Sequence, residues 1–280
     1  MAISKMSMVN NSYRYFTIAV DGYENRCMRG IIYHGKTPGF RFGSLLEMAL
    51  DMDYIFNKMD CPKQTMEMRT FEGVEYPKPV IRNCVDEDQI RSGKLATFQI
   101  YVKYRYNASW QGEITWLETD EVKSFQSYLE LVKIMDRILS GSEEMGEHGE
   151  AVNVCQVAID SFGNGAIEGS VQNPLQNNFH GFFGLVDMAE SLEKTIEMGI
   201  SDGSENRTED SKVNFDEDWN TYRKGGRNAT FVIRVRFREY STLQGEIYWR
   251  EGKLQQSFRS FFEMLILMAS AIGSTEPLEK

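Results

Sequence analysis

The hydrophobic positions toward the C-terminus follow two periods in succession. Phe231, Ile233, Val235 and Phe237 alternate with Val232, Arg234, Arg236 and Arg238, the period-two pattern of a strand with one dry face. A polar loop, Glu239 to Thr242, turns the chain into a second strand, where Ile247 and Trp249 continue that face. Ser260 and Glu263 then stand in S-x-x-E spacing. That spacing marks a helix start, because the serine hydroxyl accepts a backbone N–H three residues on and the glutamate reaches back. Phe261, Met264, Leu265, Met268 and Ile272 recur beyond it at helical spacing, so the stretch predicts strand, strand, helix.

The same pattern occurs elsewhere in the chain. The segment from Ala96, ATFQIYVKYRYNASWQGEITW, aligns without a gap on the segment from Ala229 at an offset of 133. Arg105/Arg238, Gln111/Gln244, Gly112/Gly245, Glu113/Glu246, Trp116/Trp249, Ser127/Ser260 and Glu130/Glu263 are identical pairs. Fainter copies begin at Phe16 and Cys155, and in all four a glycine stands fourteen residues in: Gly30, Gly112, Gly169 and Gly245. A glycine recurring at one place suggests a hairpin or bulge with a backbone need such as positive φ. Helix openings follow at Ser44, Ser127, Gly184 and Ser260.

A single ββα unit cannot cover its own sheet, so units must pair. The expected fold is α+β: four ββα units in two pseudo-equivalent halves, each a four-stranded antiparallel sheet with two helices on one face. The first half spans 13–140, with units at about 15–60 and 96–139. The second spans 152–273, with units at about 154–198 and 229–272. Residues 141–151 read as an acidic linker, 199–228 as a flexible acidic loop and 274–280 as a tail. The halves are expected to pack as an internal pseudo-dimer or to remain tethered, in a monomer or a homodimer.

Charge refines this picture. The formal net charge of -10 sits in the connectors and tail: 140–150 holds four acidic groups and no basic one, 198–218 seven acidic and two basic, and 275–280 two acidic and one basic. The acidity argues against a nucleic-acid or lipid-coating function, though it describes the linkers more than the folded surface. No apolar run is long enough to span a bilayer, and MAISKMSMVNNSYRYF has no apolar core of a secretory signal. Cys27, Cys61, Cys84 and Cys155 show no C-x-x-C spacing. They read as reduced thiols in a cytoplasm. With three histidines and no phosphate-loop, dinucleotide or zinc-hydrolase motif, neither a metal nor a cofactor is expected, and no catalytic constellation is visible.

The candidate binding residues are those that the two stronger copies share. Arg105, Gln111, Glu113, Arg238, Gln244 and Glu246 have the parity of the open sheet face, where they form either cross-strand ion pairs or a polar strip for a ligand or partner. Trp116 and Trp249 have core parity. Lys103, Arg105, Arg234, Arg236 and Arg238 make a basic stripe near Tyr101, Tyr106 and Tyr240, a composition that can bind single strands, against which the neighbouring glutamates weigh. Asp21 and Asp160 match each other after the first strand of the weaker copies and read as turn residues.

The string ATF-x-I-x-V-x-(F/Y)-R, then QGEI-x-W, then SF-(R/Q)-S-x-x-E resembles small uncharacterised proteins of gut-dwelling anaerobic Firmicutes, which look like single copies of this unit. The resemblance covers 96–139 and 229–272. It implies a bacterial cytoplasmic setting and a module that pairs with itself, and it brings no activity. The expectation from the repeated surface-parity residues is a non-enzymatic binding protein that engages a protein partner or small polar ligand through the Arg/Gln/Glu strip. The alternative is a sensor or sponge that holds a nucleotide-like anion between the halves.

Overall fold

The computed structural model describes residues 12–35, 38–83, 91–141, 154–163, 166–172, 179–197, 225–239 and 241–275. Most of the acidic loop at 199–228, the linker from 142 to 151, Cys84 and the tail from 276 lie outside the described residues.

The first unit comprises β1 (Tyr15–Glu24), β2 (Cys27–His34), β3 (Phe40–Phe42) and α1 (Leu45–Met59). After the two-residue β4 (Arg82–Asn83), the second comprises β5 (Ala96–Tyr104), β6 (Gln111–Trp116), β7 (Glu121–Phe125) and α2 (Tyr128–Ser140). The third has β8 (Val154–Gly163), β9 (Ala166–Gln172), β10 (Phe179–Phe183) and α3 (Leu185–Glu197). The fourth has β11 (Ala229–Glu239), β12 (Thr242–Trp249), β13 (Leu254–Phe258) and α4 (Phe261–Thr275). The architecture is α+β in two similar halves, as expected.

The unit itself is βββα, which corrects the ββα reading. The antiparallel sheets run β4-β3-β2-β1-β5-β6-β7 and β10-β9-β8-β11-β12-β13, so among the described residues they hold seven and six strands instead of four. The third strand escapes sequence reading because in three units it is an edge, and in the first only the two-residue β4 lies beyond it. In β7 only Phe125 is buried, and its other residues face solvent, so no alternation marks it.

Within each half the two units meet through their first strands. Phe16 pairs with Ile100 and Ile18 with Phe98; Cys155 pairs with Ile233 and Val157 with Phe231. Phe16 corresponds to Phe98 and Ile18 to Ile100, so each register is reciprocal, as at a two-fold interface.

The helix starts behave as their spacing requires. Ser44 Oγ accepts from Glu47 N at 3.1 Å while Glu47 Oε2 accepts from Gly43 N at 2.7 Å. Ser127 with Glu130 and Ser260 with Glu263 repeat the arrangement. Gly184, where the others have serine, has φ +88°, which favours glycine, and a Cβ there would also lie 2.9 Å from Cys27 Sγ of the β1–β2 hairpin.

One continuous apolar core runs through both halves. Helix α4 is buried from Phe261 to Ile272, as a helix must be when neighbours cover every side. The halves also exchange matched hydrogen bonds. Ser127 Oγ donates to Ser241 O at 2.6 Å, and Ser260 Oγ donates to Ala108 O at 2.5 Å. These are the same contact made in both directions, since Ser127 corresponds to Ser260 and Ala108 to Ser241. Trp110 seals the junction with its ring centroid 5.1 Å from that of Tyr128 and 5.0 Å from that of Phe262.

Candidate ligand cavity between the halves

The repeated glycines mark the feature that builds the site. Gly30, Gly112, Gly169 and Gly245 pair with Val20, Val102, Ile159 and Val235. In each first strand the register slips immediately beyond that pair, leaving Asp21, Lys103, Asp160 and Arg236 as the extra residues of four β-bulges. The need is close approach, and positive φ is not observed at these positions. A Cβ would sit 2.0 Å from Ala19 O, or 1.9 Å from the O of Tyr101, Ala158 or Arg234.

A bulge shifts side-chain parity for everything after it. The residue two beyond each bulge therefore turns toward the helix layer: Tyr23, Arg105 and Phe162 pack inward, whereas the Arg238 side chain stays 32% exposed. This corrects the open-face placement of Arg105, whose side chain is 2% exposed. Each of the four points toward the helix of the partner unit, at the ninth position after the cap: Asp136, Asp53, Ala269 and Glu193 respectively.

Three of these four crossings are polar. Arg105 Nη2 donates to Asp53 Oδ1 at 2.7 Å and to Asn57 Oδ1 at 2.7 Å, over the Phe56 ring. Asp53 Oδ2 accepts from Asn57 Nδ2 and from the Tyr76 hydroxyl, both at 2.9 Å. Burial and then the Asp53 carboxylate push the Tyr76 phenol far above its ordinary value. Tyr23 donates to Asp136 Oδ1 at 2.6 Å; its pKa is pushed up to about 12, by burial first and the Asp136 bond second. Arg238 Nη2 reaches Glu193 Oε1 at 3.4 Å, and Lys133 shares that carboxylate.

Arg26, at the β1–β2 turn, ties the halves together beside the Tyr23 crossing. It bonds Asp136 of its own half at 2.5 Å and Glu190 of the other at 2.6 Å. The Arg26 bond holds the Glu190 carboxyl below the usual carboxylate range against the opposing effect of burial.

The fourth crossing has no polar group. Phe162 and Ala269 occupy it, and both line a cavity of about 670 Å³ together with Leu46, Leu50, Val74 and Ile167. That volume is in the range of small-molecule sites. The connector after α1 borders it. Asp51 Oδ1 takes Val80 N at 2.8 Å and Ile81 N at 3.1 Å, pinning the connector to the first half. Arg69 N donates to Glu263 Oε1 at 2.9 Å and Gln256 Nε2 to Thr70 O at 3.0 Å, pinning it to the second.

The remaining sequence candidates are dispersed. Glu113 pairs with Lys103, and Glu246 with Arg236 at 2.9 Å, so the outer-face ion pairs exist but use the bulge residues in place of Arg105 and Arg238. Gln111 bonds its own hairpin at Tyr106 N and O, and Gln244 is half-buried opposite Phe237. Arg238 lines a second cavity of about 320 Å³ with Lys133, Arg137, Glu130 and Glu193. Trp249 is buried and Trp116 half-buried against the core. Asp21 accepts from Lys94 N and Asp160 from Arg227 N, both at 3.2 Å; each stands at a bulge within its strand and binds a segment far along the chain, which corrects the turn role expected of them.

Sequence reasoning missed Tyr23, Asp53, Asp136, Phe162, Glu193 and Ala269. The signal was an acid nine residues after the cap in three copies and alanine in the fourth. Among the described residues no group of three or more histidine, cysteine, aspartate and glutamate side chains could hold a metal, and no helix is long and apolar enough to cross a membrane. No protein-family model, no curated protein and no solved structure matches the chain.

Proposed function

We propose that the protein is a non-enzymatic binding protein that takes a small, mainly apolar ligand in the cavity between its halves. One observation carries this reading. Four equivalent crossings exist, three hold hydrogen-bonded polar pairs, of which Arg238 and Glu193 border the smaller cavity, and the apolar one, Phe162 and Ala269, opens on the 670 Å³ cavity. The outer-face strip offers less to a partner, because Glu113, Glu246 and Arg105 are each engaged within the fold.

The test is a filling substitution. Ala269→Phe should keep the thermal midpoint within a few degrees of the parent, because it adds apolar volume where space exists. It should abolish the midpoint rise that decanol gives the parent protein. A parent that decanol does not stabilise, or a variant stabilised equally, would overturn the reading.

A second reading is favoured by the setting of Arg238. Lys133, Arg137 and Arg238 line the smaller inter-half cavity, as an anion sensor would require. Glu130 and Glu193 offset that charge. An Arg238→Gln variant that loses a phosphate-dependent stabilisation seen in the parent would establish this reading over the first.

A further inference from the structure

The polar groups on the wall of the larger cavity share one chemical character. On α4, Ser270 Oγ donates its proton to Leu267 O at 2.8 Å and Ser274 Oγ to Ala271 O at 2.6 Å. Both hydroxyls therefore turn only lone pairs outward. Tyr76 is in the same state, its proton given to Asp53. The half-buried Glu47 and the exposed Glu75 add carboxylates, and Lys78, also exposed, is the one cation among the lining residues.

The helix ends bear on the same question. Ala269, Ser270, Gly273 and Ser274 belong to the closing turns of α4, where the carbonyl end of the helix dipole favours positive charge. The opposite end of another helix, the start of α1, also meets the cavity at Ser44 and Leu46. Its positive end is answered by Glu47 itself, whose Oε2 holds Gly43 N at 2.7 Å. The wall accepts hydrogen bonds and offers few.

We infer that the ligand of this cavity is an apolar molecule carrying a protonated amine, and that carboxylates and phosphate esters are rejected. An ammonium group brings three donors and no acceptor, which complements serine lone pairs and a carboxylate set among Leu46, Leu50, Phe162 and Ile167. An anion would find only the exposed Lys78 as a partner and would lie beside Glu47 and the α4 carbonyls, where like charge disfavours it. This inference rests on the cavity being the ligand site.

Decylamine, decanol and decanoate share a tail and differ in the head group, so titrating each into the full-length chain near neutral pH separates the two questions. Decylamine should bind at least about tenfold more tightly than decanol, and decanoate should not bind measurably. Glu47→Gln keeps an acceptor at the helix start. It should cost decylamine about tenfold in affinity and leave decanol unchanged. Decanoate binding as tightly as decylamine, or Glu47→Gln weakening both ligands alike, would overturn the amine inference while the cavity stood. No binding by any of the three, or equal binding by Ala269→Phe and the parent, would overturn the cavity reading with it.

Discussion

The four equivalent crossings permit an internal transplant. Arg105 and Asp53 are 2% and 1% exposed at the side chain and 2.7 Å apart, whereas the fourth crossing places Phe162 and Ala269 at the equivalent positions of its two units. Arg105→Phe alone leaves a buried carboxylate held only by Asn57 and the Tyr76 hydroxyl. Asp53→Ala alone leaves a buried guanidinium with Asn57, Gln64 and the Pro62 carbonyl. Each single change should cost about 3–5 kcal/mol, because removing one partner strands the other charge in a dry site. The double variant restores an apolar pair that this fold already uses. It still leaves Asn57 and Tyr76 short of partners, so a cost of about 1–3 kcal/mol remains. Urea unfolding followed by tryptophan fluorescence reports the midpoints, with Trp110 buried against Phe56 beside the crossing. The double variant should therefore be more stable than either single one. Additive costs in the double variant, or singles costing under about 1 kcal/mol each, would refute the equivalence of the crossings.

Two further predictions follow from glycine packing and from titration. Gly112→Ala and Gly245→Ala place a Cβ 1.9 Å from a carbonyl oxygen and should each lower stability by about 2 kcal/mol or more, measured as a fall in thermal midpoint. By contrast, a Cβ at Gly273 meets nothing within 4 Å, so Gly273→Ala should raise stability by about 0.5–1 kcal/mol. Acid should destabilise the protein in two stages. Burial holds His34 neutral, below its ordinary value of 6.5, so the folded state binds fewer protons and stability is lost as pH falls below that value. Glu190, held below its ordinary 4.5 by Arg26, contributes stability above that pH and loses it as pH falls further. A midpoint-against-pH profile of His34→Gln should lack the first decline, and one of Arg26→Gln should lack the excess slope of the second; unchanged profiles would contradict both assignments.

Much of the fold is legible in the sequence, for a reason particular to repeats. The alternation in β11, the capping serines and the fourteen-residue spacing to each glycine survive in several copies, so local signals reinforce one another. What the pattern hides is the bulge. A slip of one residue at Lys103 or Arg236 leaves no mark on composition, yet it reverses the parity on which Arg105 was assigned to the open face. The edge strands are hidden for the opposite reason, because β7 has almost no buried residue to betray it. The cavity was the least legible element. It depends on two apolar residues, Phe162 and Ala269, over a hundred positions apart, whose meaning appears only when the crossings of all four units are laid side by side.

The matched serine-to-carbonyl bonds between the halves have a consequence for stoichiometry. An assembly of four identical chains would have to place the same pair at every crossing, and a change that opened one site would open four. Joining the units in one polypeptide lets three crossings keep the polar pairs that hold the structure while the fourth departs from them. A ligand taken at that place would be counted once per chain, with the three polar crossings left to tie helix to sheet around it.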